Sequence, residues 1–394
     1  MSPMEYRRFG TLDFACSALG FGAMRLPLHG AAPDDIDREE ARRMLRRAVD
    51  LGVNYVDTAY NYHGGASEEW LGWALADDYR ERVKVATKLP AWKVERRDDF
   101  DRFLGEQLER LGCAIDFYLL HSLDADTWRD NVLAHDVLGA AEAALSDGRI
   151  AHFGFSFHDT YDAFVEILEG SDLWEFCQIQ YNYMDEEYQA GTRGLSAAAE
   201  RGLGVVVMEP LRGGQLARPT PQVAALWDAA QRDLESCVPA AVCPPESPVE
   251  WALRWVWEHP EVSLLLSGMS TMEQVEQNIR YAGRSTVPVG AAEHAAIARV
   301  RDAYRDAIPI PCTSCKYCLP CPNKVAIPDI LELYNEAVAY ADLDGARRRY
   351  TWIDEGSGAD ACTQCGTCEE RCPQHIAIAA WLEKAQTFLT VVED

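Results

Sequence analysis

Short apolar runs alternate with stretches whose apolar positions recur every three or four residues, through most of the chain. The first pattern fits buried strands and the second amphipathic helices. Residues 5–15 read as a hairpin, with Tyr6–Phe9 and Leu12–Phe14 flanking a Gly10-Thr11 turn. A strand is expected over Ala18–Met24, where glycines suit close approach of backbone to a neighbour or ligand. Ala41, Met44, Leu45, Ala48 and Val49 then lie at helical spacing, and Gly52 closes that helix. Further strands are expected at 53–58, 83–88, 116–121, 150–156, 176–181, 203–208 and 262–267. Helices are expected between and after them at 67–77, 98–111, 131–147, 160–170, 192–201, 247–258 and 271–282. Eight strands alternating with eight helices predict an α/β fold, a closed (β/α)8 barrel. A doubly wound sheet would want a Gly-x-Gly-x-x-Gly turn after a strand, and none is present.

Two features interrupt the alternation. Residues 211–246 carry Pro219, Pro221, Pro239, Pro244 and Pro245, with Pro248 just beyond, and read as a long connection of the kind used as a lid. Helix 291–306 is followed by Ile308-Pro309-Ile310-Pro311, which marks a boundary. Two domains are therefore expected, 1–308 and 309–394.

The 394 residues are 48% hydrophobic, enough for a large core. The formal net charge of −26 argues for solubility and against nucleic-acid or anionic-membrane partners. No apolar run reaches the ~18 residues of a membrane span. The first residues lack a signal-peptide core, so a cytoplasmic location is expected. Of 13 cysteines, Cys16, Cys113, Cys177, Cys237 and Cys243 are scattered and read as reduced, buried thiols. The 237/243 spacing fits no standard short metal motif.

Candidate chemistry sits at consecutive strand ends. Tyr55-Val56-Asp57 ends in an acid, and Tyr62 follows five residues later. The 83–88 strand ends in Lys88 and the next in His121. In a parallel barrel these groups share the carboxyl rim, where chemistry sits. Singly, each has an ordinary reading: a helix cap, an interfacial aromatic, a surface charge, a core histidine. Together, an acid, a phenol, an amine and an imidazole in this order resemble the catalytic tetrad of the aldo-keto reductases. The resemblance covers roughly the first three quarters of the chain. It implies Tyr62 as general acid, its pKa lowered by Lys88, with Asp57 orienting Lys88 and His121 addressing a substrate carbonyl. The implied reaction is hydride transfer between NAD(P)H and a small carbonyl or alcohol.

The same resemblance extends to the cofactor. Ser156, Gln178 and Asn182 fall where family members border the nicotinamide carboxamide, though Phe157 stands where Asn often follows the serine. Met208 replaces the aromatic ring that commonly stacks on nicotinamide. Pro210, Leu211 and Gly213 belong to the loop implied to approach the pyrophosphate. Ser267, Gly268, Ser270, Gln274 and Asn278 belong to the turn and helix implied to meet the adenosine phosphates. No Lys or Arg lies between 267 and 279, which favours NADH over NADPH.

The remaining cysteines form two runs. Cys312-x2-Cys315-x2-Cys318-x2-Cys321-Pro322 precedes Cys362-x2-Cys365-x2-Cys368-x3-Cys372-Pro373. The second matches the bacterial two-cluster ferredoxin run. Zinc ribbons also use Cys-x2-Cys, but two four-cysteine runs each ending in Cys-Pro favour iron–sulfur over zinc. Each run leads into similar sequence, Val325-Ala326-Ile327 in one and Ile376-Ala377-Ile378 in the other, and then a helix. This resembles helical ferredoxin-like modules, and the combination resembles the iron–sulfur branch of the aldo-keto reductases. The fourth cysteine of each run then crosses over, implying two [4Fe-4S] clusters. One uses Cys312, Cys315, Cys318 and Cys372, and the other Cys362, Cys365, Cys368 and Cys321. Such clusters transfer electrons, with a redox-protein partner, or staple a small domain. The competing functional class is a redox sensor or electron-transfer subunit with a nucleotide-binding barrel.

Overall fold

The computed structural model of the chain describes residues 3–237 and 244–390. It divides into two compact units, Met1–Gly213 with Val249–Val289, and Gly214–Pro248 with Gly290–Asp394. The segment after residue 213 and the helix Ala291–Asp306 thus group with the cysteine region.

The first unit is the expected barrel. Strands β1 (Tyr6–Phe9) and β2 (Leu12–Ser17) form an antiparallel hairpin. Strands β3 (Leu19–Gly22), β4 (Tyr55–Asp57), β5 (Lys84–Leu89), β6 (Ile115–Leu123), β7 (Ile150–Phe157), β8 (Phe176–Gln180), β9 (Gly204–Met208) and β10 (Val262–Gly268) close in the order β10-β3-β4-β5-β6-β7-β8-β9. All these pairings are parallel, so every strand delivers its carboxyl end to one rim. The helices cover the outside with their apolar stripes. In Arg38–Asp50 the buried residues are Ala41, Met44, Leu45, Ala48 and Val49, and the Asp37 side chain caps the Glu40 N–H.

The hairpin supplies the barrel floor. Phe9 is fully buried, with ring centroids 4.9 Å from Phe117, 5.8 Å from Phe176 and 5.9 Å from Tyr55. Gly204 makes room for it, since a Cβ there would lie 2.3 Å from the Phe9 ring. Aromatic packing thus seals the end opposite the rim. Two of the scattered thiols, Cys16 and Cys177, are buried as expected, and Cys113 is half-buried. Cys243 and the Cys237 side chain lie outside the described residues.

Three boundaries differ from expectation. Residues 211–246 contain the helix Pro221–Cys237. Val223, Trp227, Ala230 and Leu234 on it are buried at helical spacing, a stripe that the flanking prolines hide, while Pro221 opens the helix where proline is tolerated. The helix expected at 131–147 starts at Val137, after a π-turn over Trp128–Leu133 that buries Trp128 and Val132. Strand β6 runs on to Leu123, so His121 lies inside it rather than at its last residue.

The second unit is helical, with helices including Ile327–Ala339, Leu343–Tyr350 and Ile378–Leu389 around a core of Ile310, Ile330, Leu331 and Leu382. The Asn335 side chain accepts from Ile310 N at 3.0 Å and donates to Ile310 O at 2.9 Å, fixing the entry to the first cysteine run. Among the described residues no helix is long and apolar enough to cross a membrane.

The floor yields a stability prediction. Phe9→Ala should destabilise the barrel by about 3–5 kcal/mol. Denaturant unfolding should show a lower midpoint; an unchanged one would mean that the ring contributes little.

Candidate active site and cluster-binding cavities

The rim brings the four predicted groups together. Asp57 ends β4, Lys88 lies on β5 and His121 on β6. Tyr62 opens a 3-10 turn over Tyr62–Gly65. Neighbouring His63 has φ 53°, with its Nδ1 at 2.8 Å from Pro33 O and its Nε2 accepting from Leu26 N at 3.3 Å. That left-handed residue turns the chain so that Tyr62 faces the barrel mouth.

Lys88 is fully buried and uses all three ammonium protons. Its Nζ donates to Asp57 Oδ1 at 2.7 Å, to Thr58 O at 2.7 Å and to Tyr62 Oη at 3.2 Å. Because the phenol oxygen accepts from Lys88, its own proton remains available to an acceptor in the mouth. The His121 ring lies edge-on to Tyr62 at 5.8 Å, and Trp92 approaches His121 at 5.3 Å.

Burial and charge act together on these groups. Burial opposes the Lys88 charge, yet Asp57 and Tyr62 raise its pKa above the ordinary value, so the amine stays protonated. Burial raises the Asp57 carboxyl while Lys88 pulls it back. Tyr62 corrects the sequence expectation. Lys88 does favour its phenolate, but burial outweighs that and the pKa moves up. His121 is pushed well below its ordinary value by burial, then by Lys88 and His158, so it is neutral near pH 7.

A buried polar network behind Lys88 was not anticipated from sequence. Glu68, fully buried, accepts from Thr87 Oγ1 at 2.6 Å, Gln107 Nε2 at 2.5 Å and Arg110 Nη1 at 3.2 Å. Gln107 Nε2 also lies 3.1 Å from Lys88 O, and its Oε1 accepts from Tyr118 at 2.7 Å. The network braces the strand that carries the amine. Its only sequence signal is polar residues at core-facing positions of the helices Ser67–Ala74 and Asp98–Leu111.

The cofactor residues fall into distinct environments. Ser156 and Gln178 are neighbours in register on β7 and β8. Ser156 Oγ accepts from Ser122 N at 2.7 Å. Gln178 Nε2 contacts Met208 Sδ at 3.7 Å, while its Oε1 is buried without a hydrogen-bond partner. Such an oxygen is suited to receive a carboxamide N–H. Asn182 is engaged with the protein itself, donating to Asp185 Oδ2 at 2.9 Å and Glu209 O at 3.1 Å. Asp185 also accepts from Gln180 at 2.9 Å and pairs with Arg212 at 3.4 Å, tying down the loop that carries Pro210, which is buried, Leu211, half-buried, and Gly213, exposed. Asn278 Nδ2 donates to Ser267 Oγ at 3.0 Å. Ser270 N donates to Gln274 Oε1 at 2.8 Å, and Ser270 Oγ donates to Arg25 O at 2.8 Å.

In the second unit the eight cysteines ring two cavities. Cys312, Cys315, Cys318 and Cys372 line one. Cys321, Cys362, Cys365 and Cys368 line another, which Cys318 also borders. Each cavity thus draws cysteines from both runs. Among the described residues no three His, Cys, Asp or Glu side chains converge on a point able to hold one metal ion. Thiolates spaced around a cavity suit a multi-iron cluster better than one tetrahedral zinc.

Comparison with known proteins follows the same division. The aldo/keto reductase family model matches residues 18–302, and a 4Fe-4S dicluster domain model matches residues 311–377. L-galactose dehydrogenase from Arabidopsis thaliana is 27% identical over 71% of this chain and 88% of its own length. NADH-specific methylglyoxal reductase from Escherichia coli is 25% identical over 68% of this chain and 91% of its own. Among solved structures, the holo form of aldo-keto reductase AKR11C1 from Bacillus halodurans is similar with a TM-score of 0.59 and 26% identity, covering 75% of this chain and 96% of that one.

The lowered His121 pKa sets a stability prediction. An unfolded histidine takes up a proton near pH 6.5, while buried His121 resists until lower pH. The unfolded state therefore binds more protons as pH falls below that value, and stability drops by up to about 1.4 kcal/mol per pH unit. Thermal unfolding from pH 7 to pH 5 should show this slope, flattened in His121→Asn. Parallel curves for the two proteins would assign the acid sensitivity elsewhere.

Proposed function

We propose that this chain, which belongs to the aldo/keto reductase family, moves hydride between NAD(P)H and a small carbonyl or alcohol on the rim of its barrel. The observation that carries the reading is Lys88, fully buried and bound at once to Asp57 and Tyr62. A bound nicotinamide supplies the hydride, and the chain's residues manage the proton and the carbonyl oxygen. Tyr62 gives its proton to that oxygen as the carbon is reduced, and the Lys88 ammonium stabilises the phenolate left behind. Asp57 and Thr58 O hold the ammonium on its line to the phenol. Neutral His121 orients the carbonyl by a hydrogen bond. Gln178 Oε1 and Ser156 would hold the carboxamide, with Met208 against the ring. Catalysis is assigned to residues 1–308.

Tyr62→Phe keeps the ring and removes the proton. Dinucleotide binding should persist, while reduction of ketones or aldehydes such as methylglyoxal should fall by about 10²-fold or more. Lys88→Met should behave alike. Normal turnover in Tyr62→Phe would remove the phenol from the mechanism.

For residues 309–394 the proposed cofactors are two [4Fe-4S] clusters that exchange single electrons with a redox-protein partner. One would be held by Cys312, Cys315, Cys318 and Cys372, and the other by Cys362, Cys365, Cys368 and Cys321. The two cavities, each lined by cysteines of both runs, support this crossed ligation. Protein prepared without oxygen should carry about eight irons. Cys321→Ala should damage the cluster of the second run and spare that of its own. Two zinc ions and no iron would overturn the assignment.

A further inference from the structure

We propose that the loop of the first cysteine run is the docking face for an acidic electron-carrier protein, which exchanges electrons with the cluster bound there. The inference rests on the proposed electron exchange, and names its point of entry and the charge of the partner. It comes from two loops that share a backbone and differ in side chains. Cys312–Cys318 and Cys362–Cys368 have the same cysteine spacing. Their left-handed residues also correspond. Ser314 and Lys316 have φ of 52° and 60°, while Gln364 and Gly366 have 56° and 78°. Beyond the fourth cysteines, Lys324 at 60° corresponds to His375 at 53°. Lys324 N donates to Cys321 O at 2.9 Å, and His375 N to Cys372 O at 3.1 Å.

Where the second loop has Gly366, the residue that such a φ favours, the first has Lys316. Holding a side chain in that conformation costs roughly 1–2 kcal/mol. Backbone geometry alone would favour glycine at both positions, so the reason for the lysine lies in its side chain.

The remaining differences agree. Lys316, Tyr317 and Lys324 are exposed, Tyr317 by 66%. Their counterparts are Gly366, Thr367 and His375. No acidic residue lies between Asp306 and Asp329, in a chain that has 63 of them, whereas Glu369 and Glu370 stand inside the second run. Lys316 lines the first cavity, and among the described residues no charged side chain lines the second. Asp329 bounds the patch. Burial raises its carboxyl pKa and Lys316 pulls it back. Among the described residues neither Lys316 nor Lys324 forms an ion pair with a carboxylate.

A chain of net charge −26 repels an acidic partner over most of its surface. Screening limits each charge to about 8 Å at physiological salt, so a local basic patch decides where that partner lands. The exposed Tyr317 ring adds the aromatic contact common at protein interfaces. Cys315 and Cys365 are both exposed, so access does not separate the two loops and charge does. One electron leaves the reduced carrier, which is oxidised, and enters the cluster of Cys312, Cys315, Cys318 and Cys372, which is reduced. No bond forms or breaks. Cys318 borders both cavities and offers passage to the second cluster.

The test is electron exchange between the cluster-loaded full chain and a plant-type ferredoxin, an acidic one-electron carrier, followed by stopped-flow absorbance without oxygen. It is run in both directions, first with the carrier reduced and then with the chain reduced. Lys316→Gly combined with Lys324→Gln should lower the second-order rate constant about tenfold at low ionic strength, and high salt should close the gap. Iron content, and reduction by dithionite, which needs no docking face, should match wild type. Lys316→Gly alone should fold at least as stably as wild type, since glycine suits that φ. Arg348→Gln removes an exposed cation outside both runs and should change the rate little. Rate constants unchanged in the double variant, or lowered as much by Arg348→Gln, would overturn the docking face. A wild type that dithionite reduces, but that exchanges with the ferredoxin in neither direction, would overturn it too. Clusters that exchange electrons with no reagent would instead remove the electron-transfer reading on which the inference depends.

Discussion

The ion pair between Lys88 and Asp57 constrains the rest of the barrel. Desolvating the two charges costs several kcal/mol per ion even after relaxation, and a buried pair often stabilises a fold less than apolar side chains of the same volume. The surroundings complete the ammonium, while Asp57 Oδ2 is buried without a hydrogen-bond partner. Asp57 and Thr58 O lie at 2.7 Å from the amine and Tyr62 at 3.2 Å, so no ammonium proton is left without an acceptor. The network of Glu68, Gln107 and Tyr118 then holds the backbone that carries it. Removing either charge would strand the other in a dry interior. An arrangement costly to stability and closely supported is suited to chemistry rather than to folding.

Barrel closure makes that support affordable. Parallel strands place Asp57, Lys88 and His121 on one rim without any long-range loop having to find the others. The hairpin floor, with Phe9 among Tyr55, Phe117 and Phe176, shuts the opposite end. At the rim, burial of the site residues themselves keeps the local dielectric low, which strengthens the pair and the hydrogen bonds around it. That burial lowers the His121 pKa and raises that of Tyr62.

Much of this is legible in the chain because strand ends and cysteine spacings are local signals. Asp57, Lys88 and His121 terminate or nearly terminate apolar runs, and the two cysteine runs declare themselves by interval alone. What stayed hidden depends on contacts across the sequence. Glu68 and Gln107 are polar residues far apart in sequence whose pairing appears only when their helices face each other. The helix Pro221–Cys237 was masked by prolines at its flanks, although Val223, Trp227, Ala230 and Leu234 carry a clear stripe. The direction of the Tyr62 shift differs from expectation for a related reason: the neighbouring charge is visible in sequence, but the extent of burial is not.

That direction bears on how the site would work. With Lys88 and Tyr62 both shifted upward, each holds its proton across the neutral range. Reduction of a carbonyl on the proposed mechanism needs a phenol that has a proton to give, and the resting site has it. The reverse reaction needs a phenolate to receive the alcohol proton, and burial opposes that form before substrate arrives. Lys88 offsets the cost only in part. It does so most when the phenolate appears beside it, as the proton leaves for the substrate oxygen. Its interaction with Tyr62 is then stronger late in proton transfer than in the resting enzyme, which is the condition under which binding energy lowers a barrier.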